Sequence, residues 1–290
     1  MKIDGYTRMA AVIAHPVRHS ISPFIHNLAY ELTATNAAYL AWDIAEEDLE
    51  STISQIRKLD MIGVNISMPY KQKVFPYLDE VDEMARKIGS VNTIVHRDGK
   101  LKGYNTDGIG FFRSLPPAFS IRGKTMVLLG AGGAALAIIA QAIHLGVKRI
   151  LVFVREERLV HYRSIVQLVE EGFDFLIELY AIEKDEDVQN SFHQADLILN
   201  ATGVGMDGQS LPIASHLTFP PQALIVEMAY YPAVTPFLQL AVNQGNQREN
   251  GLGMLFYQAE AAFELMTGKV FPTESVWKAL TTEYRQFVCD

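Results

Sequence analysis

The chain has little of what would mark it as secreted, membrane-spanning or nucleic-acid-binding. It holds one cysteine, Cys289, in 290 residues, so no intrachain disulfide can form and a reducing compartment is expected. The opening Met1-Lys2-Ile3-Asp4-Gly5 lacks the apolar core of a signal peptide. No run approaches the roughly 18 apolar residues of a membrane span, so a cytoplasmic protein with no membrane partner is expected. Basic residues are in the minority: 25 Lys+Arg face 33 Asp+Glu for a net charge of −8, which argues against a nucleic-acid partner, since such proteins normally show a basic face. His15, His19 and His26 lie close in sequence, yet no carboxylate or cysteine accompanies them at ligand spacing, so no metal site is expected.

What is present suits an enzyme. A hydrophobic content of 49% over 290 residues can build two cores. The most telling segment is Thr125-Met126-Val127-Leu128-Leu129-Gly130-Ala131-Gly132-Gly133-Ala134-Ala135. An apolar strand candidate runs into glycines, and a small-residue helix pattern follows. Gly130, Gly132 and Ala135 fit G-x-G-x-x-G/A, the turn that lets backbone approach a pyrophosphate at a helix N-terminus. Strand patterns at 125–129, 149–154, 174–180, 196–200 and 223–228 alternate with helical ones, the rhythm of a doubly wound parallel sheet.

Upstream, the pattern predicts strands at 9–14 and 61–67 and helices at 24–32, around Leu49–Ile56 and over Val81–Ile88, the last closed by Gly89. Arg97-Asp98-Gly99-Lys100 reads as a hairpin turn between Thr93–Val95 and Leu101–Tyr104. Two helices, about 252–266 and 274–287, end the chain. Leu115-Pro116-Pro117 reads as a linker.

Polar groups gather at the ends of the upstream strands. Ser22 before Pro23 suits an N-cap, whereas Ser20 has no such structural use. Lys71 follows a proline turn and, taken in isolation, reads first as a surface lysine and only second as a reactive one. Asp107 reads as a helix cap or as a reactive carboxylate. Arg155, Glu156, Glu157 and Arg158 at the end of the second downstream strand read as a ribose or phosphate site, or as solvated first-turn residues.

The ordered motifs Arg18-His19-Ser20-x-Ser22-Pro23, Asn65-x-Ser67-x-Pro69-x-Lys71, Val91-Asn92-Thr93, Tyr104-Asn105-Thr106-Asp107-Gly108, Gly130-Ala131-Gly132-Gly133-Ala134, Asn200-Ala201-Thr202-x-x-Gly205-Met206 and Gly251-x-Gly253-Met254-Leu255-x-x-Gln258-Ala259 resemble the shikimate dehydrogenases. Met68-Pro69, Lys124–Leu129 and Thr267-Gly268-Lys269-x-Phe271-Pro272 look most like the quinate/shikimate dehydrogenase branch.

The resemblance implies an α/β protein: an N-terminal α/β substrate domain, a Rossmann doubly wound nucleotide-binding domain, and C-terminal helices returning to the first. Residues 1–112 and 251–290 would form the substrate domain and 113–250 the NAD(P) domain. It implies an NAD(P)-dependent oxidoreductase interconverting 3-dehydroshikimate and shikimate in aromatic amino acid biosynthesis, with quinate and 3-dehydroquinate as a further pair.

By the same resemblance Lys71 and Asp107 are catalytic, and Ser20, Ser22, Ser67, Asn92, Asp107, Tyr230 and Gln258 bind substrate. Gly130, Ala131, Gly132, Gly133, Ala134, Arg155, Glu157, Thr202, Gly205, Met228 and Gly251 bind cofactor. Val154-Arg155-Glu156 stands where the strictly NADP-dependent branch has Asn-Arg-Thr, and the added carboxylates Glu156 and Glu157 oppose a 2′-phosphate, so the expectation leans to NAD over NADP. Ala14, Glu227 and the polar Gln247–Asn250 segment depart from the family's pattern. A monomer or homodimer is expected. Two alternatives stand beside this reading: a dehydrogenase for an amino-shikimate or another hydroxy acid, and a cofactor-sensing module without catalysis.

Overall fold

Two six-stranded sheets, each with its own helices, make up the computed structural model, which describes residues 3–288. Cys289, on which the disulfide argument rests, lies outside them. The chain divides into two compact units: residues up to Gly110 with Phe256–Glu283, and Phe111–Leu255 with the residues from Tyr284 onward.

In the first unit the apolar run Arg8–Ala14 forms β1, followed by α1 (Ser22–Leu32), β2 (Ala37–Asp43), α2 (Leu49–Lys58) and β3 (Gly63–Ile66). β1 lies between β2 and β3, parallel to both. Helical crossovers are what parallel neighbours require. β4 (Glu80–Val81) and α3 (Glu83–Ile88) precede the hairpin of β5 (Thr93–Arg97) and β6 (Lys100–Tyr104). The sheet order is β2-β1-β3-β5-β6-β4, with β5 antiparallel to both β3 and β6.

Asp98 and Gly99 turn the hairpin with φ of 53° and 76°, the two left-handed positions of a type I′ turn. Ile53, Ile56, Val64, Ile94 and Leu101 pack one core of this unit. α4 (Asp107–Ser114) begins where β6 has ended, and α9 (Leu252–Thr267) and α10 (Thr273–Glu283) come from the C-terminal part of the chain.

The second unit is doubly wound. β7 (Thr125–Leu129), α5 (Gly133–His144), β8 (Arg149–Val154), α6 (Leu159–Phe173), β9 (Glu178–Ala181), α7 (Asp185–Phe192), β10 (Leu197–Asn200), β11 (Leu224–Glu227), α8 (Pro236–Gln244) and β12 (Arg248–Glu249) follow in order. All strands are parallel, in the order β12-β11-β10-β7-β8-β9. The winding reverses between β7 and β10, and a crevice outside the strands' carboxyl ends at such a switch point is where open α/β sheets take ligands. Val127, Leu129, Phe153, Phe192, Ile225 and Phe237 belong to the core of this sheet.

Several boundaries differ from the sequence reading. β2 was not predicted, because an edge strand exposing Leu40 and Ala41 has too little apolar signal. Val81 is in β4 and Asp82, whose side chain accepts from Met84 N–H, caps α3, so that helix starts later than predicted. The strand predicted at 174–180 is Glu178–Ala181, since α6 runs to Phe173 and Asp174 turns left-handed at φ 51°. The last helix stops at Glu283 and gives way to a short 3-10 turn over Arg285–Phe287. No described helix is long and apolar enough to cross a membrane.

Candidate active site

Lys71, Asn92 and Asp107 meet at the ends of strands in the first unit. Backbone geometry delivers them. Val91 N–H donates to Lys71 C=O at 2.9 Å, and Asn92 N–H donates to Tyr104 C=O at 3.0 Å, extending the hairpin by one rung. The hairpin's return then sets Asp107 beside Asn92. Asn105 Oδ1 accepts from Asp107 N–H at 3.0 Å, so the helix-start amide of Asp107 is satisfied by Asn105. Asp107 is the first residue of α4.

That carboxylate is divided between two donors. Lys71 Nζ donates to Oδ2 at 2.6 Å and Asn92 Nδ2 donates to Oδ1 at 2.7 Å. The lysine and aspartate side chains are only 18% and 7% exposed, so each charge depends on the other for compensation. Asn92 is held from behind: its Oδ1 accepts from Thr106 N–H at 2.8 Å and from Thr93 Oγ1 at 2.9 Å. Thr106 Oγ1 also donates to the backbone carbonyl of Gln258 in α9 at 3.1 Å. A Cβ on Gly110 would sit 2.5 Å from the Gln258 nitrogen, so glycine is what lets α4 and α9 approach this closely.

The serines lie on the segments after β1 and β3. Ser22 is the first residue of α1, and the N-cap position is Ile21. The N-cap position expected at Ser22 thus falls one residue earlier, and it is Ser20 whose Oγ accepts from a helix-start amide, that of Ser22, at 3.3 Å. Ser67 follows β3, tied by its N–H to Ile13 C=O at 2.9 Å. The histidines take separate places. His15 Nδ1 contacts Asp43 at 2.7 Å and His26 is fully buried. Among the described residues no group of three metal-ligating side chains gathers.

In the second unit the glycine turn joins β7 to α5. Gly130 has φ 97°, and a Cβ there would lie 3.0 Å from Ala201 C=O. Gly132 is the N-cap of α5, makes no side-chain capping bond, and has open space where a Cβ would be. The first-turn amides that follow, at Gly133 and Ala134, are the orphan donors of a helix N-terminus, a place suited to an anion. These features fit a dinucleotide's pyrophosphate.

The neighbouring loop is anchored by a buried carboxylate. Asn200, at the end of β10, donates to Glu227 Oε2 at 2.7 Å and to Val204 C=O at 3.0 Å, and its Oδ1 accepts from Thr202 N–H and Oγ1. Glu227 also accepts from Thr235 Oγ1 and Ala229 N–H. Burial pushes its carboxyl up to about 7, against the lowering effect of the Ala229, Asn200 and Thr235 hydrogen bonds. The sequence marked Glu227 only as a departure from pattern; its burial at 0% exposure makes it the support of the Thr202–Gly205 loop.

Met228 N–H donates to Asn200 C=O at 2.9 Å, and a Cβ on Gly251 would lie 1.9 Å from Met228 C=O. Gly251 is thus needed for close backbone packing against Met228. Tyr230 rests against Phe287 with ring centroids 5.2 Å apart, and burial raises its phenol above the usual range. After β8, Arg155 Nη1 pairs with Glu157 at 3.1 Å, both side chains being about two-thirds exposed. Glu156 N–H donates to Glu183 at 3.0 Å.

Residues 12–94 match the shikimate dehydrogenase substrate binding domain and residues 251–281 the shikimate 5′-dehydrogenase C-terminal domain. A protein of Streptococcus pneumoniae strain CGSP14 named shikimate dehydrogenase (NADP(+)) is 53% identical over 285 residues, covering 98% of this chain and 100% of its own. The solved shikimate 5-dehydrogenase of Listeria monocytogenes, in complex with shikimate and NAD, is 36% identical with a TM-score of 0.91 over 97% of this chain and 98% of its own. That of Thermus thermophilus, in complex with NADP(H) and shikimate, is 32% identical with a TM-score of 0.81 over 95% and 99%. The expected lean to NAD is not borne out: the curated relative is named for NADP(+), and the two solved structures hold NAD in one and NADP(H) in the other. With this identity sustained along nearly its whole length, the chain belongs to the shikimate dehydrogenase family.

Proposed function

We propose that the chain is an NAD(P)-dependent shikimate dehydrogenase, oxidising the ring hydroxyl of shikimate to the ketone of 3-dehydroshikimate and reducing it in reverse. The observation that carries this reading is the pairing of Lys71 with Asp107 at 2.6 Å, with Asn92 on the other carboxylate oxygen. A bound dinucleotide would accept the hydride in oxidation and donate it in reduction.

The chain's own residues handle the remaining proton. In oxidation the Lys71–Asp107 pair takes the hydroxyl proton, and in reduction it returns that proton to the carbonyl oxygen. The ammonium form of Lys71 also stabilises negative charge developing on the oxygen.

Ser20, Ser22, Ser67 and Gln258 are the hydrogen-bonding groups proposed for the substrate's carboxylate and hydroxyls, together with Asn92. Tyr230, in the other unit, is retained on the family resemblance alone. The unit holding Lys71 is read as the substrate domain and the glycine-turn unit as the dinucleotide domain. There Gly130–Ala134, Thr202, Gly205, Met228 and Gly251 are read as lining the cofactor.

The adenosine end is assigned to Arg155 and Glu157. Arg155 suits a 2′-phosphate and Glu157 suits ribose hydroxyls. Their mutual ion pair is exposed, and such pairs contribute about 0–1 kcal/mol, so either residue is released at little cost. The enzyme is therefore read as taking both dinucleotides, with quinate as a further substrate. Absorbance of the reduced cofactor, measured with shikimate or quinate plus NAD or NADP, tests this. Turnover in none of the four combinations overturns the function.

A further inference from the structure

Behind the Lys71–Asp107 pair, hydrogen bonds run on into the interior of the first unit. Tyr39 Oη donates to Asn65 Oδ1 at 2.6 Å. Asn65 Nδ2 donates to Thr93 Oγ1 at 3.0 Å and to the Asn92 backbone carbonyl at 3.3 Å. Thr93 Oγ1 donates to Asn92 Oδ1 at 2.9 Å, and Asn92 Nδ2 reaches Asp107 at 2.7 Å. Tyr39, Asn65, Thr93 and Asn92 are all buried.

Chemistry fixes the direction at every joint. A backbone N–H can only donate, so Thr106 N–H sets the Asn92 amide with its oxygen inward and its NH₂ toward Asp107. A backbone carbonyl can only accept, so Asn92 C=O sets the Asn65 amide in the same sense. Thr93 lies between a donor and an acceptor, and Tyr39 faces an acceptor. All the donors thus point one way, toward the carboxylate. Hydrogen bonds arranged in series polarise one another, by about 10–30% per bond.

The far end of the series is itself clamped. Asn27 of α1 holds the Tyr39 backbone in both directions, donating to its carbonyl at 2.9 Å and accepting from its N–H at 2.8 Å. His26 stacks on the Tyr39 ring at 4.2 Å and 3°. Burial keeps the Tyr39 phenol well above its usual range and pushes His26 down to about 3. The phenol therefore remains a donor, and the ring stacked on it is neutral.

We propose that Tyr39, Asn65 and Thr93 are positioning residues that act on the reaction through Asn92, fixing and polarising the hydrogen bond that holds Asp107 in line with Lys71. This rests on the proposed dehydrogenase function. The substrate does not touch these three residues in this assignment, whereas Asn92 and Asp107 do meet it, so the effect falls on kcat more than on KM for shikimate.

The test is steady-state kinetics of Thr93→Val, Thr93→Ser, Tyr39→Phe and the Thr93→Val/Tyr39→Phe double variant, with melting temperatures alongside. Thr93→Val is expected to lower kcat about tenfold, the effect of about 1.4 kcal/mol lost from one hydrogen bond. Tyr39→Phe is expected to lower it about threefold. Thr93→Ser restores the hydroxyl and most of the rate. Because both sites act through one series, the double variant loses little more than Thr93→Val alone.

Unchanged kcat in Thr93→Val, multiplied losses in the double variant, or a rise in KM that accounts for the loss overturns the proposal. So does a loss that serine does not rescue. If Thr93→Val does not fold, Tyr39→Phe decides: its kcat falls by more than KM rises, or the proposal fails. Absence of turnover in the unmodified chain defeats the function itself, whereas normal turnover with unaffected variants defeats only the relay.

Discussion

In the unit containing Lys71, function rests on side chains carried into the interior: Asn65, Asn92, Thr93, Thr106 and Asp107 are all buried and polar. In the glycine-turn unit the corresponding strand ends offer backbone: a left-handed Gly130, an uncapped α5 and open space at Gly132. The first arrangement suits a reaction, where one proton must go to one place. The second suits recognition of a pyrophosphate, where several amides share a spread charge. The same strand-and-helix architecture thus supports two kinds of site, and substitutions should fail differently in each. Chemistry should be lost from the first unit without loss of cofactor, and binding or folding from the second.

The largest effect expected is on the chemical side. Lys71→Ala should lower kcat by about 10²–10⁴ while dinucleotide affinity, read by fluorescence titration, stays within a few-fold. A comparable loss of affinity would break the division between the units.

Gly251→Ala tests the backbone side. Its Cβ would fall 1.9 Å from Met228 C=O, and relief requires main-chain movement, at a cost of about 3 kcal/mol or more. A melting temperature within a degree of the unmodified protein would contradict this.

Glu227 is the exception that sharpens the comparison, a buried acid within the backbone-type unit. Its folded pKa, about 7, lies above the ordinary 4.5. The stability it contributes when protonated is therefore complete below about 4.5 and lost as pH rises through about 7. The upper limit is about 3 kcal/mol. Glu227→Gln should flatten the melting temperature across that window, while lowering it overall because its NH₂ must face one of the donors that the two carboxylate oxygens accept from. Thermal melts from pH 4.5 to 8.5 check this, and an unaltered slope removes Glu227 as its source. The smallest effect concerns the cofactor choice: Glu157→Ala should raise the NADP-to-NAD ratio of kcat/KM by a few-fold, on the order of 1 kcal/mol.

The glycine turn was legible in the sequence because a strand, two spaced glycines and a small-residue helix are adjacent along the chain. The Lys71–Asp107 pair was legible only through family resemblance, since 36 residues separate them and no local pattern joins a lysine to a distant carboxylate. Tyr39 was missed altogether. It sits on an edge strand whose outward residues give no clean alternation, and its partner Asn65 is 26 positions away. Thr93 and Thr106 looked like ordinary strand-end threonines. Their importance comes from facing one amide from two sides, a property of the fold rather than of either segment.

The β5–β6 hairpin has a consequence for handling the protein. Its tip, Asp98–Gly99, is exposed, while Asn92 and Asp107 close the base of the same hairpin. Register between the arms, from Thr93↔Tyr104 to Arg97↔Lys100, is set along their full length. Chain lengthened at the tip therefore leaves the pairing below it intact. Exposed loop tips accept insertions and new termini most readily, which makes this turn the natural point in the unit for a fluorophore, an affinity tag or a circular permutation.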